Sequence, residues 1–375
     1  MKYYLIAGEA SGDLHGANLI KALGNEDPSP DFRAWGGDLM QAAGANVVKH
    51  YKDLAFMGFS EVVKNLGTIL NNFKICKKDI LEYAPDVLIL IDYPGFNLRM
   101  AKWAKKQGIK VFYYISPQIW AWHSSRVHGI KKTVDKMFVI LPFEKAFYQK
   151  YDFEVDFVGH PLLDVVVDFD ENKQLASNNF RKKYGLSDKP IIALLPGSRK
   201  QEIKKMLAKM LAMISQFADY QFVIAGAPSQ PLAFYQNILA NNQVNIPIIE
   251  NETYSLLHES HAALVTSGTA TLETALFEVP QVVCYQGNYW SYLLAKRLVN
   301  VKYISLVNLV LDKTLVTELI QTEFNEVNLK KELTQILEEK RRMEMQEGYV
   351  LLKEKLGNAG ASARAAALMF GYLEA

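Results

Sequence analysis

Short apolar runs alternate with helical patterns along nearly the whole chain, and this alternation limits the possible folds more than any other feature. The apolar runs lack the strict apolar–polar alternation of half-exposed strands, which is typical of parallel strands buried on both faces. The alternation predicts two successive arrays of βαβ units, each with a parallel sheet covered by helices. The runs are Tyr3–Ala7, Val87–Ile91, Val111–Ile115 and Met137–Leu141, then Ile191–Leu195, Gln221–Ala225, Ala262–Val265 and Gln281–Tyr285.

Chain length and a polar stretch near the middle predict two domains. The 375 residues exceed what a single hydrophobic core usually supports. Residues 164–187 are rich in charged and turn-forming side chains. We therefore predict two Rossmann-like, doubly wound α/β domains, over residues 1–164 and 165–345, that face a ligand cleft.

Composition excludes several classes of protein. The chain has 42 basic and 40 acidic residues, so its net charge of +2 does not favour nucleic acid. Cys76 and Cys284 are far apart and outside any CxxC pattern, which predicts neither a disulfide framework nor a zinc site. The first apolar run is too short for a signal peptide, and no window of about 20 uncharged apolar residues occurs. These features predict a cytoplasmic protein without a transmembrane helix.

Acidic residues follow two strands of the first array. Ligands of open α/β sheets bind beyond the carboxyl ends of the strands, where Glu9 of "AGEASGD" and Asp92 of "LIDYPGFN" are expected. The glycine-rich stretch around Glu9 is not a GxGxxG motif, and a tight turn that needs small residues explains it as well. Asp92 could remove a proton from an acceptor hydroxyl, or it could cap a helix, a role for which Asn97 competes.

The second array contains a turn with the features of an anion site. In "LLPGSRKQEI", Gly197 and Ser198 lead from a strand into a helix, and Arg199 adds a guanidinium at the helix start. A helix N-terminus and an arginine fork together suit phosphate oxygens. The alternative is an arginine that forms a salt bridge with Glu202.

A second turn of this kind lies in "TSGTATLE". Ser267, Gly268 and Thr269 offer hydroxyl and backbone N–H groups, and Glu273 follows one turn later, where it could accept hydrogen bonds from a ribose. A capped helix with a surface glutamate is the simpler alternative. Two such turns in one domain favour a nucleotide.

One predicted helix, in "GFSEVVKNLGTILNNFKIC", carries an apolar stripe that has two interpretations. The stripe is typical of a core-facing helix. The alternative is an exposed patch that contacts a bilayer or an acyl chain. Its members are Val62, Val63, Leu66, Ile69, Leu70 and Phe73.

Taken together, the motifs resemble those of the lipid-A-disaccharide synthase family. The resemblance runs from about Ala7 to Leu309, and the tail "GASARAA" also fits. The motifs, in chain order, are "AGEASGD", "MGFSEV", "IDYPGFN", "SPQIWAW", "VGHPL", "LLPGSR", "TSGTATLE", "LAKRLV" and "ISLVNL".

The resemblance implies an inverting glycosyltransferase with the GT-B fold. Such an enzyme joins UDP-2,3-diacylglucosamine and 2,3-diacylglucosamine 1-phosphate (lipid X) into a β-1,6-linked disaccharide 1-phosphate, releases UDP and has no bound catalytic metal or other cofactor. It works in lipid A biosynthesis as a peripheral protein at the cytoplasmic face of the inner membrane. A final helix at about 346–375 packs back on the N-terminal domain, which binds the acceptor lipid, while the C-terminal domain binds the UDP-sugar. Whether it is a homodimer stays open.

The resemblance also implies roles for individual residues. Asp92 resembles the general base, Arg199 the essential arginine near the phosphates, and Asn308 of "SLVNL" an asparagine important for activity. Glu9 matches an acidic residue of the first turn. The 60–73 helix matches the membrane-contact region of the family, which favours the exposed patch over the core.

Two alternatives remain at this stage. One is another UDP-sugar enzyme of the same fold, such as the peptidoglycan N-acetylglucosaminyltransferase or the UDP-N-acetylglucosamine epimerase. The other is a protein that binds a nucleotide sugar without turning it over.

Overall fold

The computed structural model of the chain describes residues 1–54, 66–172, 180–288 and 301–375. The described chain divides into two compact units. The first unit comprises Met1–Asp164 and Gly357–Ala375, and the second comprises Val165–Leu356. Each unit contains one parallel sheet with helices between its strands, so the predicted pair of doubly wound α/β folds is confirmed.

The first unit is built on a seven-stranded sheet. Its strands are β1 (Lys2–Ala7), β2 (Asp31–Gly36), β3 (Asn46–His50), β4 (Val87–Ile91), β5 (Lys110–Tyr114), β6 (Lys136–Val139) and β7 (Asp156–Phe157). Their order is β3-β2-β1-β4-β5-β6-β7, and all neighbours are parallel. All five residues of β4 are buried, because helices cover both faces, and this explains its unbroken apolar sequence.

In the described part of the first unit, seven helices lie between these strands. They are α1 (Ala10–Glu26), α2 (Asp38–Ala42), α3 (Leu66–Tyr83), α4 (Pro94–Lys106), α5 (Ile119–Trp122), α6 (Val127–Thr133) and α7 (Pro142–Gln149). The described connections also contain two short 3₁₀ segments, Tyr51–Asp53 and Ser124–Arg126.

The second unit is built on a six-stranded parallel sheet. Its strands are β8 (Ile191–Leu195), β9 (Gln221–Gly226), β10 (Ile248–Glu250), β11 (Ser260–Thr266), β12 (Gln281–Tyr285) and β13 (Thr317–Ile320). Their order is β10-β9-β8-β11-β12-β13. Its helices are α8 (Leu162–Asn172), α9 (Phe180–Lys183), α10 (Lys200–Leu211), α11 (Leu232–Asn241), α12 (Thr253–Glu259), α13 (Thr269–Leu276), α14 (Leu306–Leu311), α15 (Glu326–Leu337) and α16 (Glu339–Leu356), with a 3₁₀ segment at Ile214–Gln216. The boundary between the units, after residue 164, falls inside α8.

The final helix, α17 (Ala361–Glu374), belongs to the first unit and packs against α1. Asp164 caps its start by accepting hydrogen bonds from the backbone N–H groups of Gly360 (2.5 Å), Ala361 (3.2 Å) and Ser362 (3.1 Å). The predicted return of the last helix is confirmed, although the returning helix begins at Ala361 rather than near residue 346. None of the described helices is both long and apolar enough to cross a membrane.

In each sheet the strand order reverses at one point. The reversal lies between β1 and β4 in the first sheet and between β8 and β11 in the second. The crevice at the carboxyl ends of two such strands is the usual ligand position in open α/β sheets. The four turns that the sequence singled out follow these four strands.

Candidate active site

The turn after β4 holds Asp92 in a rare backbone conformation. Asp92 and Tyr93 have φ angles of 43° and 47°, in the left-handed region, which costs a residue other than glycine about 1–3 kcal/mol. The Asp92 N–H donates to the carbonyl of Tyr114 (3.1 Å), and the Asp92 carbonyl accepts from Tyr113 Oη (2.5 Å). Strain that the surrounding bonds maintain in this way is common at functional turns.

Asn97 supports this turn from below. Its buried Nδ2 donates to the carbonyls of Ile6 (3.3 Å), Ile91 (3.2 Å) and Asp92 (2.8 Å), so it joins the ends of β1 and β4. Asn97 therefore does not cap α4, whose N-cap residue is Tyr93.

The electrostatic surroundings of Asp92 suit a base. The pKa of Asp92 is raised to about 6, first by burial and then by the nearby Glu9 carboxylate, while a hydrogen bond from the Tyr93 backbone opposes both. Glu9 is the N-cap residue of α1, directly after β1. The sheet thus brings together the two acidic residues that the sequence placed at separate strand ends.

The turn after β8 requires a glycine and presents an arginine. Gly197 has a φ of 100°, and a Cβ at this position would overlap the Glu202 carboxylate. That carboxylate accepts from the Ser198 N–H (3.3 Å). Arg199 is the exposed N-cap residue of α10. Burial raises the pKa of Glu202, and the charge of Arg199 opposes this increase, so the two side chains interact electrostatically.

The turn after β11 is held by Ser267. The Ser267 N–H donates to the carbonyl of Cys284 (3.0 Å), and its Oγ donates to the carbonyl of Ile304 (3.0 Å). Gly268 and Thr269 are exposed at the start of α13. The groups of this turn that face solvent are therefore those of Gly268 and Thr269, whereas Ser267 uses its two donors to anchor the turn.

Glu273 lies on α13, one turn after Thr269, and is half-buried. Tyr254 Oη donates to its Oε1 at 3.2 Å. Burial raises the pKa of Glu273, and the bond from Tyr254 opposes this increase. Glu273 is thus a half-buried carboxylate that Tyr254 keeps in place near the turn, and not the surface glutamate of the simpler alternative.

Asn308, expected to act in catalysis, is fully buried. Its Nδ2 donates to the carbonyl of Val316 (2.9 Å) and to Glu318 Oε1 (2.9 Å). Its Oδ1 accepts from the backbone N–H groups of Leu315 (2.8 Å) and Val316 (3.0 Å). Because the chain itself uses all these bonds, the structure does not support direct contact between Asn308 and a ligand.

The apolar stripe of α3 is divided between core and surface. Phe73 is only 9% exposed and stacks on Phe96 with 4.3 Å between ring centroids, so its assignment to an exposed patch is wrong. Ile69 is half-buried against the same core, whereas Leu70 is 53% exposed. Val62, Val63 and the side chain of Leu66 lie outside the described residues.

The sequence analysis missed two glutamates that accept several hydrogen bonds, one in the first turn of α7 and one on β13. Glu144 is buried just after β6, where the backbone N–H groups of Ile140 (3.1 Å) and Leu141 (2.9 Å) donate to it. Burial raises the pKa of Glu144 to about 7. Glu318 lies on β13 and binds the segment around Asn308. The acidic residue after the apolar run in "VILPFE" could have identified the first, but β13 has no strong strand pattern.

Comparison with known proteins agrees with these features. A family model described as lipid-A-disaccharide synthetase matches residues 3–369. The lipid-A-disaccharide synthase of Syntrophus aciditrophicus is 41% identical over 371 residues, which cover 97% of this chain and 96% of that protein. The enzyme of the same name from Coxiella burnetii (strain Dugway 5J108-111) is 40% identical over 338 residues, which cover 89% and 88%.

Solved structures share the fold at low sequence identity. The UDP-GlcNAc 2-epimerase from Neisseria meningitidis, bound to UDP-GlcNAc, aligns with a TM-score of 0.67 at 14% identity and covers 100% of both chains. The calicheamicin glycosyltransferase CalG4 aligns with a TM-score of 0.60 at 16% identity and covers 99% of this chain and 98% of its own. At these identities the likeness shows the fold alone.

Two doubly wound parallel sheets, with the candidate residues at both strand reversals, define a protein of the GT-B fold. The chain belongs to the lipid-A-disaccharide synthase family, as the resemblance of its motifs indicated, and its enzyme class is that of a hexosyltransferase.

Proposed function

We propose that this enzyme transfers 2,3-diacylglucosamine from its UDP derivative to the 6-hydroxyl of lipid X, with inversion at the anomeric carbon. The products are a β-1,6-linked disaccharide 1-phosphate and UDP. Membership of the family supports this reaction. The carboxyl group of Asp92, at the strand reversal of the first sheet, is the observation that carries the proposed chemistry.

Asp92 is the proposed general base. As the 6-hydroxyl oxygen of the acceptor bonds to the anomeric carbon, the bond from that carbon to the UDP oxygen breaks, and Asp92 takes the hydroxyl proton. A pKa of about 6 leaves Asp92 mostly ionised at neutral pH, yet makes it a stronger base than an ordinary aspartate. Glu9 contributes through its negative charge, which favours the protonated form of Asp92.

The leaving diphosphate is the proposed ligand of the two turns in the second unit. Arg199 offers a guanidinium fork, while the starts of α10 and α13 offer N–H groups and the positive ends of their helix dipoles. Gly197 and Ser198 shape the first turn, and Gly268 and Thr269 present the second. These groups stabilise negative charge as it develops on UDP.

Glu273 is the proposed acceptor for the ribose hydroxyls of UDP. Tyr254 holds one of its two oxygens, which fixes the orientation of the carboxyl group. We assign Asn308 to positioning, since its side-chain bonds all lie within the protein.

The first unit is the proposed binding site of the acceptor lipid, and the second that of the UDP-sugar. Leu70, exposed on α3, and the half-buried Ile69 are the described members of the proposed acyl-chain or membrane contact. The enzyme would then act as a peripheral protein at the cytoplasmic face of the inner membrane.

One assay tests the proposal against its alternatives. The purified protein is incubated with UDP-2,3-diacylglucosamine and lipid X, and the products are identified by mass spectrometry. A disaccharide 1-phosphate together with free UDP is expected. In a parallel incubation with UDP-N-acetylglucosamine, conversion to its 2-epimer would instead support an epimerase, and UDP binding without product in either incubation would support a non-catalytic sensor.

A further inference from the structure

Glu318 gathers four hydrogen-bond donors from one short segment. Its Oε1 accepts from the Ser305 N–H (3.0 Å), Ser305 Oγ (2.7 Å) and Asn308 Nδ2 (2.9 Å), and its Oε2 accepts from the Ile304 N–H (2.9 Å). All four donors are neutral groups. Hydrogen bonds to an ionised acceptor are about twice as strong as neutral ones, so this carboxylate holds the segment 304–308 firmly against β13.

The same segment holds the turn after β11. The Ile304 N–H is bound to Glu318, and the carbonyl of Ile304 accepts from Ser267 Oγ at 3.0 Å. Ile304 therefore links the two side chains, because its N–H binds Glu318 and its carbonyl binds Ser267. On the other side, the Ser267 N–H donates to the carbonyl of Cys284 on β12 (3.0 Å).

The buried residues of the segment leave it little freedom to adjust. Ser305 and Asn308 are both 0% exposed. Ser305 is the N-cap residue of α14 and accepts from the Asn308 N–H (3.3 Å), while Asn308 binds backbone groups on the far side of its loop. Loss of the Glu318 carboxylate therefore leaves the buried donors of Ser305 and Asn308 without an acceptor. Ile304 then shifts, because its N–H loses the same partner.

We propose that Glu318 is a positioning residue for the nucleotide-binding turn Ser267–Thr269, acting through the carbonyl of Ile304. The inference rests on the proposed function, in which that turn binds the diphosphate. It also defines the chemistry of the turn. Since Ser267 Oγ donates its hydrogen bond to the carbonyl of Ile304, the phosphate oxygens bind the N–H groups of Gly268 and Thr269 and the hydroxyl of Thr269, and Ser267 sets their position.

The test compares Glu318, on β13, with Glu332, which lies on α15 and binds the first residue of β13. Glu318→Gln keeps the shape of the side chain but replaces one acceptor oxygen with an NH₂ donor that faces another donor. Glu332→Gln is the matched control, because Glu332 accepts from Thr317 Oγ1 (2.9 Å) and does not bind the 304–308 segment. Calorimetric titration with UDP is expected to give a dissociation constant raised about tenfold by Glu318→Gln and by less than about twofold by Glu332→Gln.

A double-mutant cycle with Ser267→Ala separates positioning from a general loss of structure. If Glu318 acts through Ile304 and Ser267, the double variant binds UDP about as weakly as the weaker-binding single variant, since both changes break one chain of contacts. Steady-state kinetics of Glu318→Gln should show the main effect in the KM for the UDP-sugar, with a smaller change in kcat. Should Glu318→Gln fail to fold, Ser305→Ala, which removes one hydroxyl donor, replaces it in the cycle.

The outcomes distinguish this inference from the proposed function. The inference is overturned if a folded Glu318→Gln or Ser305→Ala variant binds UDP as the wild type does, or if its effect adds fully to that of Ser267→Ala. If instead the wild-type protein does not bind UDP at all, the proposed nucleotide site itself is wrong, and the positioning role is overturned with it.

Discussion

The ring of Tyr93 lies directly against Gly8, so that a Cβ added to Gly8 would overlap the ring carbons. Gly8 lies between the end of β1 and Glu9, while Tyr93 follows Asp92, the first residue after β4. The glycine is therefore needed less for its own backbone freedom than for the room it gives to the ring. This contact joins the two acidic turns of the candidate site.

Gly8→Ala should disturb the Asp92 turn. The added methyl group must displace the Tyr93 ring, and overpacking of this kind typically costs about 1–3 kcal/mol. We expect transferase activity to fall at least about tenfold. The control is Gly24→Ala in α1, where a Cβ meets nothing within 4 Å, so that better helix propensity should stabilise the protein by about 0.5–1 kcal/mol. Thermal unfolding and the disaccharide assay measure both effects, and equal activity of the two variants would contradict the role of the contact.

Asp92→Asn should abolish most turnover and change the pH dependence of activity. With a folded-state pKa of about 6, the wild-type kcat/KM should decline below about pH 6 as the base becomes protonated. The asparagine variant should lose about 10²-fold or more in rate while it still binds UDP. A variant that retains more than about a tenth of the wild-type rate would exclude Asp92 as the base.

The same substitution should stabilise the fold at a pH above the pKa of Asp92. The folded-state pKa of Asp92 is higher than the value near 3.9 of an unfolded chain, so folding favours the protonated form. Its favourable contribution is present below about pH 3.9 and is lost as the pH rises through 6. Asp92→Asn should therefore raise the free energy of unfolding by up to about 3 kcal/mol at pH 8, and by almost nothing at pH 3. Urea unfolding at the two pH values is the measurement, and a destabilised variant at pH 8 would indicate a structural role.

Arg199→Lys should not be a conservative change. Lysine keeps the positive charge but loses the planar fork that binds two phosphate oxygens at once. Loss of one charge-assisted hydrogen bond, about 1.5–3 kcal/mol, corresponds to roughly a tenfold or greater increase in the dissociation constant for UDP. The control is the opposite exchange, Lys205→Arg, on the same helix. Lys205 is exposed and lies outside the turn. Equal UDP binding by Arg199→Lys and wild type would place the diphosphate elsewhere.

The central strands could be predicted from the sequence because burial on both faces leaves an unbroken apolar run. The predicted Val87–Ile91, Ile191–Leu195 and Gln281–Tyr285 agree with the structure at both ends. The edge strands could not be predicted in this way. β3 is half-exposed and polar, and β13 is short, so neither carries enough apolar residues to differ from a loop.

Candidate site residues could be predicted from the sequence only where they directly follow a recognisable strand. Strand ends in a parallel sheet share one edge, so Asp92 and Arg199 could be placed at carboxyl ends without coordinates. The hydrogen bonds of Asn308 could not be predicted, since its partner Glu318 lies ten positions away on another element. Phe73 shares the apolar stripe of Leu70, and only its stacking partner Phe96 shows that it belongs to the core.

The two faces of α3 should respond differently to mutation. Leu70→Ser changes an exposed side chain, so the free energy of unfolding should stay within about 0.5 kcal/mol of the wild-type value. Phe73→Ser removes a buried ring that stacks on Phe96 and leaves a cavity, which should cost about 3–5 kcal/mol.

Vesicle binding then decides whether the exposed face of α3 contacts lipid. We expect Leu70→Ser to weaken co-sedimentation with anionic phospholipid vesicles and to raise the KM for lipid X, because an apolar side chain at the interface loses its contact with acyl chains. The control is Leu81→Ser on the same helix. Leu81 is 54% exposed, like Leu70, but lies eleven residues, or about 16 Å, further along the helix. If the contact is local to the start of α3, only Leu70→Ser should lose vesicle binding, and both variants should keep the wild-type melting temperature. Equal vesicle binding by wild type and Leu70→Ser would contradict a membrane contact at this residue.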